Sequence, residues 1–167
     1  MECWDAYNRQ GQKLPIVLNR GDKIPQGVYH IVVETLVQHC DGEYLLMQRD
    51  WIKKGHPGLF EASGGGSALQ GETAEICAIR EIKEETGLDI IELNLIQKDF
   101  HFRDGCYWHT FHGIVDQPKD SVILQKGETI SYRWVSQEEL LDFIHSDEAI
   151  PESVQRFNRF YRRLLSR

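Results

Sequence analysis

Residues 80–85 read REIKEE, and Glu81, Glu84 and Glu85 stand at spacing i, i+3, i+4. On a helix turning about 100° per residue, those three carboxylates share an arc of roughly 100°. Like charges so placed repel by about 0.2–0.5 kcal/mol per pair. In the last turns of a helix the backbone dipole opposes them by about 0.3–1 kcal/mol each. Arg80 and Lys83 offset some of this cost. A divalent cation offsets far more, and oxygen-only ligands suit Mg2+ or Mn2+ rather than Zn2+. A charge run alone describes a solvated helix face. Two features point elsewhere. Ala74, Cys77 and Ala78 lie on the carboxylate side and are small, so the face invites close approach, while Ile76, Ile79 and Ile82 on the other side predict a packed helix. The run also follows Ser63-Gly64-Gly65-Gly66. Glycines there describe an ordinary flexible turn or, with the helix following, a bend at positive φ.

From Gly66 the order is five residues, Glu72, seven residues, Arg80-Glu81-Ile82-Lys83-Glu84-Glu85-Thr86-Gly87-Leu88. This resembles the signature of the Nudix hydrolases, GX5EX7REUXEEXGU with U aliphatic, at every fixed position. The resemblance runs from the strand pair before the box to YRWVSQEEL after it. It implies an α/β/α sandwich around a mixed β-sheet, and cleavage of a diphosphate linked to another moiety with divalent metal ions, here Mg2+ or Mn2+. Such ions neutralise the diphosphate, orient the bridging oxygen and lower the pKa of water. It implies Glu81, Glu84 and Glu85 as metal ligands, joined by the backbone carbonyl of Gly65. Arg80 orients the carboxylates by salt bridging, and Glu72 is structural or supports the metal ligands from behind. The general base in this family is a box glutamate or one on a later loop. Glu128, six residues before Trp134, is either that base, a further metal ligand or a plain loop residue.

Outside the box, Arg49 and Lys53 in MQRDWIKKGHPGLF are a solvated basic loop or a clamp on the terminal phosphate. Tyr107 and Trp108 either stack on a base or belong to the core. The layout R…KK…PG.F, with ECWDAYNRQGQ and HIVVETLV before it, resembles the Nudix branch that includes isopentenyl-diphosphate isomerase. That enzyme needs a cysteine and a glutamate across the substrate, and a histidine on its metal. Aligned on Gly71-Glu72, the cysteine falls on Gly65, the histidine on Ser67 and the glutamate near Cys106. The expectation is therefore a hydrolase. Isopentenyl-diphosphate isomerase and a non-catalytic ligand sensor are the alternatives. The small diphosphate substrate stays open among nucleotides, nucleotide sugars, dinucleotides and prenyl diphosphates.

The elements that must position these residues are legible in outline. Two strand patterns meet at Asp41-Gly42, a hairpin turn signal. LFEAS is a short strand leading into the glycines. Thr73 to Thr86 has helical composition, with Gly87 as the C-cap. IELNLIQKDFHF and YWHTFHGIV are strands hinged at Asp104-Gly105, TISYRWVS is another, and QEELLDFI and SVQRFNRFYRRLL are amphipathic helices. Strands in the middle and helices late suggest a mixed sheet covered on both faces. The 167 residues fit one domain, 1–167, and the net charge of −7 argues against broad nucleic-acid binding. No apolar run approaches a membrane span, and four scattered cysteines form no CxxC pair. A reducing cytoplasm is the expected compartment. A homodimer is an expectation at the level of the family.

Overall fold

The computed structural model describes residues 2–166. Its centre is the hairpin of β3 (His30–His39) and β4 (Tyr44–Arg49), which turns at Asp41-Gly42 as expected, with Gly42 at φ 106. The two strands pair only next to the turn, at Gln38 and Tyr44, and then diverge. β5 (Phe60–Ala62) and β6 (Gly64–Ser67) fill the fork, β5 antiparallel to β4 and β6 antiparallel to β3. Ser63 sits at the crotch. Its hydroxyl accepts from the Val37 N–H at 2.8 Å and donates to the Leu45 carbonyl at 2.7 Å. One buried side chain thereby meets backbone groups from both diverging strands.

On the far side of β3 runs β8 (Cys106–Val115), parallel to it, with β7 (Glu92–His101) antiparallel at the edge. β9 (Thr129–Val135) pairs with β4. The sheet is mixed, as expected. α1 (Ala74–Thr86) covers one face, where Val33, Val37, Met47 and Phe111 meet Ala78 and Ile82. α2 (Gln137–Phe143), α3 (Pro151–Arg156) and α4 (Asn158–Leu165) cover the other, where Leu36, Leu46 and Tyr44 meet Leu140, Phe157 and Tyr161. Alternate residues of β3 feed the two layers, as the period of a strand requires.

Several details depart from the sequence expectation. β1 (Cys3–Tyr7) and β2 (Lys13–Asn19) form a separate antiparallel hairpin, tied to the start of β3 through Tyr7 and Tyr29. SVQRFNRFYRRLL is not one helix. It is broken at Phe157, which leaves helical geometry at φ −94 and ψ 5 and is fully buried. The break lets Phe157, Tyr161 and Leu164 enter the core while Ser153 and Arg156 reach the sheet at Glu34. Ile76 and Ile79 are exposed; of the three isoleucines only Ile82 is buried. The small side of α1 lies on the sheet instead, so that the helix backbone can come close to β6. No helix among the described residues is long and apolar enough to cross a membrane.

Candidate functional site

α1 is built by local rules. Thr73 caps its start, accepting from the Ile76 N–H at 3.3 Å, and Gly87 ends it in the left-handed conformation at φ 74. The glycines beside it do something different from the expected bend. None of Gly64, Gly65 and Gly66 has positive φ; they are β6, an extended strand against β3. Their missing side chains serve close approach. A Cβ on Gly66 would stand 2.3 Å from Glu81 Oε1, and one on Gly64 would stand 2.5 Å from Glu85 Oε2. A Cβ on Gly65 would stand 2.3 Å from the Val33 carbonyl oxygen. Glu81 and Glu85 therefore lie close against a strand stripped of side chains.

Arg80 organises that wall. Its Nε and Nη2 donate to both oxygens of Glu72 at 2.7 and 2.9 Å, its Nη1 to Glu81 at 2.8 Å and to Glu84 at 3.2 Å, and its Nη2 to the Ser67 carbonyl at 3.3 Å. Glu72 also accepts from the Leu69 N–H at 2.9 Å, so it anchors Arg80 to the β6–α1 turn. The hydrogen bond from Arg80 holds the Glu72 carboxyl below its usual range. Glu85 accepts from the Gly65 N–H at 3.2 Å. Burial raises Glu85 well above the usual carboxylate range, and Glu61, Glu81 and Glu128 add to this against the Gly65 N–H. Burial also raises Glu81, against the opposing pull of Arg80.

These groups line a cavity of about 850 Å3, within the range that holds small-molecule ligands. The expected metal, catalytic and phosphate-clamp residues line it: Gly65, Arg80, Glu81, Glu84 and Glu85 on one side, Arg49, Lys53 and Glu128 on another. The basic pair is not free. Arg49 Nη1 donates to both oxygens of Glu61, at 2.8 and 3.0 Å, and Lys53 is ion-paired with Glu128.

Sequence reasoning missed Glu61, Glu34 and Arg156, which also line the cavity. Glu61 on β5 faces it, and burial pushes its carboxyl up to about 6, against Arg49 and helped by Glu34. The signal was present: a glutamate between Phe60 and Ala62 in a strand two residues short of the glycines. Glu34 and Arg156, ion-paired to each other, had none. Of the two aromatics left open, Tyr107 stacks on Phe100 at 4.0 Å beside the α1 layer, and Trp108 lines the cavity under Arg156.

The donors are carboxylates, a set that suits a hard divalent cation. Crowded acids raised in pKa by burial and by one another are what such a cation relieves. Among the described residues no three acidic, histidine or cysteine side chains form a closed cage. Arg80 and the Gly65 N–H hold the carboxylate oxygens that would turn toward an ion.

The model of the NUDIX domain matches residues 28–157. An uncharacterized Nudix hydrolase of Listeria monocytogenes is 34% identical over 155 residues, 90% of this chain and 89% of that protein. An isopentenyl-diphosphate Delta-isomerase of Salmonella heidelberg is 28% identical over 118 residues, 71% of this chain and 62% of that protein. Among solved structures, DR0079 of Deinococcus radiodurans is similar with a TM-score of 0.72 at 22% identity, over 93% of this chain and 98% of that one. The MutT protein of Methanosarcina mazei gives 0.61 at 26% identity, over 79% and 94%.

Proposed function

The chain belongs to the Nudix hydrolase family, and from that premise we propose that it hydrolyses a small diphosphate compound with Mg2+ or Mn2+ held by Glu81, Glu84, Glu85 and the carbonyl of Gly65. The observation that carries this reading is the seating of all three box glutamates in one cavity with Glu61, on a strand whose glycines leave room for their oxygens. The bound cation supplies charge neutralisation of the diphosphate and activation of water.

The chain's own residues do the rest. Arg80 fixes Glu81 and Glu84, so that little rotational freedom is lost when they turn to a ligand. Glu85 lines the cavity and accepts from the Gly65 N–H, and it is the first candidate to take the proton from water. Water attacks one phosphorus, its proton passes to Glu85, and the bridging oxygen departs with the other phosphate. Glu84 and Glu128 are the competing bases. Lys53 and Arg49 stand where they can trade a carboxylate for a phosphate oxygen. A chain with this site acts as one domain over 1–167 in a reducing cytoplasm, on a small molecule rather than on nucleic acid.

The isomerase-like branch is consistent with the Salmonella relative, but the isomerase reaction itself is disfavoured. No cysteine lines the cavity among the described residues, and Gly65 brings no side chain to it. A sensor that had lost catalysis has no call for an intact box. The test is a panel of nucleotides, nucleotide sugars, dinucleotides and prenyl diphosphates with Mg2+, Mn2+ or EDTA. Hydrolysis of at least one compound, abolished by EDTA and by Glu84→Gln, is expected. Tight binding without turnover would favour the sensor, and formation of dimethylallyl diphosphate from isopentenyl diphosphate the isomerase.

A further inference from the structure

A second cavity of about 440 Å3 lies between β7 and the α3–α4 pair. It shares Trp108, Glu152 and Arg156 with the first, so the two are adjacent arms that meet at those residues. Arg156 stands at the junction and is already committed. Its Nε is ion-paired with the buried Glu34, which also accepts from the Ser153 hydroxyl, and its guanidinium lies 4.1 Å over the Trp108 ring. A buried ion pair is weak evidence of stability and better evidence of fixed geometry. Here it fixes a flat cationic plate on an indole, at the border between the two arms.

Beyond that plate the outer arm is lined by Arg159 and Arg162, three residues apart and so on one face of α4. Both are exposed, and among the described residues neither side chain has a hydrogen bond, ion pair or ring contact. Two acids share the arm: Asp99, which accepts from Gln97, and Glu152, which faces His56 at 3.3 Å. The outer arm thus keeps two guanidinium groups that no carboxylate of the described residues holds. Guanidinium matches phosphate with two parallel N–H···O bonds.

We propose that the outer arm is a subsite for a second phosphate. The substrate carries, besides the diphosphate, a phosphate monoester on its nucleoside arm; the planar ring lies against Trp108 and Arg156, and the monoester sits on Arg159 and Arg162. This rests on the hydrolase reading only for where the diphosphate goes.

The test compares adenosine 3′,5′-bisphosphate with adenosine 5′-monophosphate, neither of which has a diphosphate to cleave, by titration calorimetry in Mg2+ at low salt. The bisphosphate should bind at least tenfold tighter to wild type. In the double variant Arg159→Gln/Arg162→Gln that preference should fall to within about twofold, with monophosphate affinity unchanged. Arg159→Lys/Arg162→Lys should restore part of it. Equal affinities, no detectable binding of either compound, or a preference that survives the double substitution overturns the subsite. A parallel assay of Mg2+-dependent hydrolysis keeps the two readings apart. Preference without hydrolysis of any diphosphate sinks the hydrolase reading alone, and hydrolysis without preference sinks the subsite alone.

Discussion

The two walls of the cavity are made differently. The wall of β6 and α1 is assembled from chain neighbours: Arg80 reaches Glu72 eight residues away, and the Gly65 N–H reaches Glu85 twenty away. The facing wall is assembled from distant pieces: Lys53 meets Glu128 across 75 residues, and Arg156 meets Glu34 across 122. The first wall is a strand and a helix locked by a capped turn, with no room even for a methyl group. The second joins loop, strand and helix residues whose charges are satisfied by one another. This division suits an enzyme family that keeps one chemistry and varies its substrates.

The sharpest way to break this comparison is to neutralise one carboxylate in each wall. Glu85→Gln should lower kcat by about 10²–10⁴-fold, the usual worth of a positioned base. Glu128→Gln should cost about 10–100-fold. Rates fitted over pH for both variants check this, and a larger loss at Glu128 would move the base to the second wall. Glu84→Gln should also abolish most activity yet change unfolding free energy by less than about 1 kcal/mol, since its pair with Arg80 is exposed.

A second comparison stays inside the first wall. Gly65→Ala drives a Cβ into the Val33 backbone, which cannot yield, and should destabilise the protein by about 1–3 kcal/mol in chemical denaturation. Gly66→Ala meets only the end of the Glu81 side chain. It should leave stability nearly intact and cost activity instead. Equal melting behaviour of the two would mean that β6 is not held against β3 as described.

Protonation offers a third. The Glu61 carboxyl is raised in the folded protein to about 6. Its contribution is therefore fully present below the unfolded carboxylate range and is lost as pH rises through about 6. Without metal, wild type should lose on the order of 2 kcal/mol relative to Glu61→Gln between about pH 4.5 and 7. The slope of that difference is the readout, because losing the Arg49 pair shifts the whole curve. Added Mg2+ should raise the wild-type melting temperature above pH 7, as an ion that binds only the folded site must. The smallest effect belongs to the facing wall. Lys53→Gln should raise KM several-fold, up to about tenfold, with kcat nearly unchanged, the signature of lost uniform binding. A fall in kcat with constant KM would assign Lys53 to the transition state.

The amino-acid sequence determined what depends on near neighbours. Thr73 and Gly87 bound α1, the i, i+3, i+4 glutamates share a face, Arg80 reaches them, and Asp41-Gly42 turns the central hairpin. Each is settled by bonds spanning a few residues, which leave a mark in spacing. Tertiary structure alone decided the purpose of the glycines, since a Cβ clash with Val33 or Glu81 exists only once β3 and α1 lie against β6. It likewise decided that Arg49 faces Glu61, that Lys53 faces Glu128, and that the last helix breaks so that Phe157 enters the core while Arg156 lies on Trp108. Those contacts follow from which surfaces the core buries together, and burial across a hundred residues has no period to read.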